Sequence, residues 1–179
     1  MTPPVTTQSL AECVILADFT PAQRTTWRSV NDNVMGGRSE GSFSFDQEHI
    51  VFEGFINTNG GGFASVRKPL PEGALVGRDV VRLRVRSPSP KLPYRLSLSD
   101  GSMRSVSFSG YMNLSDSTDW QEVEVSLSNL RASRFGRPMD VPFEPAKMRS
   151  MGLILSNDRD APFKLEVDWI KACTTQEQS

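Results

Sequence analysis

An all-β sandwich of two antiparallel sheets, with about ten short strands, is the architecture predicted by this sequence of 179 residues. Three observations predict it. Apolar and polar residues alternate at period two in segment after segment, as in strands with one face on a core and one in water. Gly, Pro, Asn, Asp and Ser punctuate those segments. No long run carries a helical period, so two packed sheets are the natural way to bury the apolar faces.

Along the chain, strand-like segments come first at 14–19, 26–30, 41–46, 50–56 and 62–68. Val81, Leu83 and Val85 then alternate with Arg82, Arg84 and Arg86, and Tyr94, Leu96 and Leu98 with Arg95, Ser97 and Ser99. A further segment spans 105–111. Val123, Val125 and Leu127 alternate with Glu122, Glu124 and Ser126, and Met151, Leu153 and Leu155 share one parity. Phe163, Leu165, Val167 and Trp169 alternate with Lys164, Glu166 and Asp168. The connection 130–147, with Pro138, Pro142 and Pro145, reads as an ordered excursion over the sandwich edge. Trp27, Trp120 and Trp169 read as core or core-edge residues. Residues 13–173 read as one domain, with flexible polar ends at 1–12 and 174–179.

A net charge of −1 gives no global field toward nucleic acid or an anionic membrane. Fifteen Arg against five Lys favour planar, bidentate contacts with carboxylate or phosphate, although base composition alone produces the same skew. The start of the chain has neither a basic segment nor an apolar one of signal-peptide type. No apolar run reaches the ~18 residues of a membrane helix. A cytoplasmic protein, peripheral to a membrane only through its client, is expected. Cys13 and Cys173 flank the first and last strand-like runs. Antiparallel pairing of those runs would bring the sulfurs together; in a cytoplasm free thiols are expected.

Little chemistry is offered. His49, the only histidine, falls in a stretch that reads as a hairpin turn, with nothing marking it as a base. No zinc spacing and no phosphate loop is present. Asn31-Asp32-Asn33 and Asn157-Asp158-Arg159-Asp160 resemble pieces of calcium loops but lack the EF-hand spacing. No carboxylate pair stands out for glycoside hydrolysis. No metal, cofactor or catalytic residue is assigned. Arg82, Arg84 and Arg86, with Arg95 on an expected neighbour, form either a basic patch or cross-strand pairs with Glu122 and Glu124, and the pairs are favoured. The Ser-rich outward face beyond them lacks a row of exposed aromatics for stacking on sugars.

Two glycine-rich stretches are more specific. Trp27, then Asn31-Asp32-Asn33-Val34-Met35-Gly36-Gly37-Arg38-Ser39, then Phe52-Glu53-Gly54, then Asn59-Gly60-Gly61-Gly62-Phe63-Ala64-Ser65-Val66-Arg67 occur in order. Leu83–Arg86, Tyr94–Leu96, Trp120–Val123, Gly152–Leu155 and Phe163–Ile170 continue the pattern. Over residues 14–172 the chain resembles the CIA30 family, that of complex I intermediate-associated protein 30. The resemblance implies a galactose-binding-like jelly roll. It also implies a non-catalytic, chaperone-like assembly role for a membrane-associated respiratory or photosynthetic complex, in a free-standing bacterial member.

The glycines of the two stretches permit positive φ and close backbone approach. Asn31 and Asp32 suit turn-fixing hydrogen bonds. Met35 suits an irregular gap or a partner surface. Two readings stay open: the loops pack on each other and close one end of the sandwich, or they form a recognition surface. The candidate surface comprises Asn31, Asp32, Met35, Gly36, Gly37, Arg38, Ser39, Gly60, Gly61, Gly62, Phe63, Ser65 and Arg67, with Arg82, Arg84 and Arg86 as a second, basic face. The expected partner is a protein client. A carbohydrate- or small-ligand-binding module is the alternative, and an enzyme the third class.

Overall fold

The alternation folds as thirteen strands among the described residues, which in this computed structural model are 12–20, 26–31, 38–47, 49–59, 62–101, 106–134 and 137–175. In chain order they are β1 (Glu12–Ala17), β2 (Arg28–Asn31), β3 (Glu40–Asp46), β4 (His49–Ile56), β5 (Phe63–Pro69), β6 (Val80–Arg86) and β7 (Tyr94–Ser99). Then come β8 (Ser107–Tyr111), β9 (Gln121–Ser126), β10 (Arg131–Arg134), β11 (Arg137–Pro138), β12 (Ser150–Ser156) and β13 (Ala161–Thr174). One sheet runs β3, β4, β13, β6, β9, with β1 also on β13. The other runs β11, β10, β8, β7, β12, β5, β2. All pairs are antiparallel, as the period-two reading requires. No α-helix occurs among the described residues, and no helix there is long and apolar enough to cross a membrane.

The inner faces of the two sheets meet in one core. Phe52, Leu83, Leu96, Leu153 and Leu165 are fully buried, and the Phe52 and Phe163 rings meet edge to face with centroids 4.8 Å apart. Burying each such side chain stabilises the fold by about 1.5–3 kcal/mol. Val81, Leu83 and Val85 point inward as their parity predicts, which sends Arg82, Arg84 and Arg86 outward.

Three expectations need correction. The 130–147 connection is not only an excursion: β10 pairs with β8, and β11 adds a two-residue edge strand ending on Pro138. Proline is tolerated there because an edge strand has no further neighbour to receive its missing N–H. The parity of β13 breaks at Asp168, where a bulge puts one extra residue opposite β6. Val167 is therefore inward, then Ile170 and Ala172, while Trp169 lies half-buried on the outer face with Lys171 over its ring. Of the three tryptophans only Trp27 is a core residue; Trp120 also lies half-buried outside the six-stranded sheet.

The third correction concerns the cysteines. Cys13 and Cys173 are direct partners in the β1–β13 register, with Cα atoms 4.0 Å apart, and they form a disulfide instead of free thiols. Antiparallel pairing of the outermost strands sets the sulfurs opposite each other. Glu12 and Thr174 pair in the same ladder.

Candidate functional site

The described flanks of the two glycine-rich stretches come together at one end of the sandwich. Asp32, Met35, Gly36, Gly37, Gly60 and Gly61 lie outside the described residues. Their flanks do not. Ser39 is buried, and its Oγ accepts from the Asn57 amide at 2.8 Å and donates to the Asn57 carbonyl at 3.1 Å. This reciprocal pair ties the end of one stretch to the start of the other. Asp160 Oδ1 accepts from the Thr58 amide and hydroxyl, both at 2.8 Å, which holds its carboxyl below the ordinary value. The Asn157 amide donates to the Gly62 carbonyl at 3.0 Å. Gly62 has φ +140°, a conformation closed to most side chains. The calcium-like run 157–160 thus serves as a buttress for this loop end.

From that end, β5 leads onto the outer face of the seven-stranded sheet. Phe63, Ser65 and Arg67 share its outward parity, and Ser65 Oγ donates to the Val30 carbonyl of β2. Register extends one straight row across six strands: Arg28, Arg67, Gly152, Ser97, Ser109 and Arg131. The next row holds Ser65, Ile154, Arg95 and Tyr111. Arg95 donates to Ser109 Oγ at 3.3 Å and lies over the Tyr111 ring at 5.5 Å. Arg67 Nε donates to Ser65 Oγ at 3.3 Å. Burial, then the charge of Arg28, pull the Arg67 guanidinium below its usual value. No strand of this sheet carries an Asp or Glu.

The other outward face is different. Arg84 Nη1 pairs with Asp168 at 2.8 Å, and Arg86 Nε with Glu166 at 2.7 Å. Arg82 Nε lies 2.9 Å from Glu124 as an ion pair without hydrogen-bond alignment. The basic row is therefore neutralised, by Asp168 and Glu166 of β13 as well as by Glu124; Glu122, opposite Arg84 in register, is not the partner expected of it. Arg95 belongs to the opposite sheet and cannot join that row.

His49 is not in a turn. It opens β4, is buried, and its Nε2 stands 2.8 Å from Glu166 Oε1. Trp120 packs edge-on against its ring and is also covered by the guanidiniums of Arg84 and Arg86. Asp46, His49 and Glu166 place three ligand-type atoms within 4.8 Å of one another. Both oxygens of Glu166 are already held by Arg86. A cation would have to displace that guanidinium, so the cluster reads as a structural clasp between β4, β6 and β13.

The second glycine-rich stretch gave Phe63, Ser65 and Arg67, but nothing in the sequence singled out Arg28 and Arg131, which complete the cationic row. The signal was the lack of any acidic residue in the seven segments that form this sheet. It becomes visible only once those segments are known to be neighbours.

The family model described as complex I intermediate-associated protein 30 (CIA30) matches residues 17–167. A mouse protein named complex I intermediate-associated protein 30, mitochondrial, is 26% identical over 172 aligned residues, covering 83% of this chain and 52% of that protein. The chain thus spans about half the length of that relative. Among solved structures, a family 11 carbohydrate-binding module from Clostridium thermocellum, in complex with a mixed-linked tetrasaccharide, superposes with TM-score 0.71 at 15% identity, covering 96% of this chain and all (100%) of that one. A family 30 carbohydrate-binding module gives TM-score 0.58 at 12% identity, over 83% and 91% of the two chains. At such identities the likeness establishes the β-sandwich fold and nothing about ligands.

Proposed function

This chain belongs to the complex I intermediate-associated protein 30 family, and from that premise we propose that it is a non-catalytic protein-binding domain. It holds a subunit or assembly intermediate of a membrane-associated respiratory complex of the complex I type, or of a photosynthetic one. The observation that carries this reading is the extent of the family match, residues 17–167, which takes in strands of both sheets and both glycine-rich stretches. The recognition surface is the loop pair and the β5 face that continues from it. Met35 and Phe63 supply apolar contacts, with Asp32, Arg38 and Arg67 as polar rim, a mixture common at protein interfaces.

The sandwich is also that of sugar-binding modules. Among the described residues of the seven-stranded sheet's strands, however, the outward aromatics are exposed Tyr111 and half-buried Phe63 alone. A sugar-stacking row needs more.

The test is crosslinked affinity capture from the native cells, with mass spectrometry, comparing the unmodified chain with Met35→Asp. Subunits of one membrane complex should be enriched and then lost in the variant, with its melting temperature unchanged. Capture that survives Met35→Asp would remove the loop from the surface. Failure to enrich any such subunit, with glycan binding on an array, would overturn the assembly reading.

A further inference from the structure

We infer that the outer face of the seven-stranded sheet docks an extended, carboxylate-rich segment of the protein client. The inference rests on the protein-binding reading and names the chemistry of the partner. On that face Arg28, Arg67, Arg95 and Arg131 are presented by four different strands, and none has a carboxylate partner among the described residues. Cross-strand register is where opposite charges normally meet, and the six-stranded sheet of the same molecule obeys that habit with Arg82–Glu124 and Arg86–Glu166, while Arg84 takes Asp168 of the bulge. The seven-stranded sheet instead sets Arg28 directly opposite Arg67. Local arrangements that work against stability are typical of functional surfaces.

The shape agrees. Between Arg67 and Arg131 the row consists of Gly152, Ser97 and Ser109, small residues that form a floor between two arginine walls, with the Arg95 guanidinium reaching onto Ser109 from the next row. Four strand spacings of about 4.8 Å put the walls ~19 Å apart at the backbone, the reach of about six extended residues. Arginine is suited to carboxylate through its planar fork. Charge complementarity of this kind sets orientation and encounter rate. A flat bilayer surface would meet the exposed Arg28 and Arg131 without reaching the half-buried Arg67, the wall that stands next to Arg28 in the row. A neutral glycan would give these four cations no counter-charge, and none of them has one among the described residues.

The probe is a fluorescent decapeptide rich in Glu, with its Gln counterpart, measured by anisotropy at low and at physiological salt. The Glu peptide should bind in a salt-dependent manner and the Gln peptide should not. Arg67→Glu with Arg131→Glu should weaken binding roughly tenfold or more, about 1.4 kcal/mol or above. Arg131→Glu alone, at an exposed position, should weaken it measurably, which covers the case of a poorly folded double variant. Arg82→Glu on the opposite sheet should leave it unchanged. Unchanged affinity in the Arg131 and double variants would overturn the inference. So would binding to vesicles of phosphatidylglycerol without binding to the peptide. Crosslinked capture with the double variant separates the two claims: client subunits still recovered would leave the assembly reading standing and sink only the docking face.

Discussion

Arg28 and Arg67 stand directly opposite each other across β2 and β5, two cations in one cross-strand position with no carboxylate to share among the described residues. Like charges in that position are destabilising by a few tenths of a kcal/mol up to about 1 kcal/mol. Arg28→Glu converts the repulsion into an ion pair. It should therefore raise the thermal midpoint by roughly 1–3 °C while weakening capture of the client, a trade of function for stability. Calorimetry decides it: a midpoint that falls would mean the two guanidiniums do not oppose each other in solution.

Glu166 links β13 to β4 and β6 by accepting from His49 and Arg86. Burial pushes its carboxyl up, but the hydrogen bonds and charges of Arg86 and His49 outweigh this and hold it below its ordinary value of 4.5. A carboxyl depressed in the folded state contributes stability that is fully present above the unfolded value. That stability is lost as pH falls through the lower, folded one. Glu166→Gln should cost about 1–3 kcal/mol near neutral pH. It should also flatten the fall in stability below pH ~4.5. Urea titrations at pH 7 and pH 3.5 measure both. An identical acid dependence in the variant would show that other carboxylates carry it.

The Cys13–Cys173 disulfide closes a separation of 160 residues. Such a long loop removes unfolded-state entropy equivalent to about 5 kcal/mol in the chain-entropy model, with 2–5 kcal/mol the usual observed loss. Reducing agent should lower the unfolding free energy by an amount in that range, and Cys173→Ala should reproduce the drop and abolish its redox dependence. Coincident unfolding curves with and without reductant would mean that the protein carries two thiols.

Much of the sandwich was legible because strand parity is a local property. Val81, Leu83 and Val85 declare their inward face within seven residues of chain, and nothing distant can change it. The bulge at Asp168 was not legible: Trp169 continues the apolar alternation in sequence, and only the register against β6 reveals the extra residue. His49 resembled a turn residue because its partner Glu166 lies 117 positions away. The cationic face was hidden for a related reason. Arg28, Arg67 and Arg131 are scattered in sequence and fall into one row only when β2, β5, β12, β7, β8 and β10 are placed side by side. Composition marked the two glycine-rich stretches as candidates, while the Ser39–Asn57 clasp between their flanks joins residues 18 positions apart and has no local signal.

Gly54 offers the sharpest test of the strand packing beneath the loop end. It faces Gly41 across β3 and β4, and a Cβ built on it would lie 1.7 Å from the Glu40 carbonyl oxygen. That atom is backbone and cannot swing aside as a side chain would. Gly54→Ala must therefore separate the two strands locally, and it should cost about 3 kcal/mol or more, the range of overpacking in a rigid site. Gly73 is the control. Its φ of +79° strains any other residue, but nothing lies within 4 Å of its would-be Cβ. Gly73→Ala should cost only about 1–2 kcal/mol, the left-handed backbone penalty. Denaturant midpoints of the two variants read the difference directly. Because Glu40 follows Ser39, the strand separation forced at Gly54 should also loosen the Ser39–Asn57 clasp, and client capture should fall in Gly54→Ala but not in Gly73→Ala. Equal losses of stability in the two variants would show that β3 yields without resistance and that the clasp is not held by this crossing.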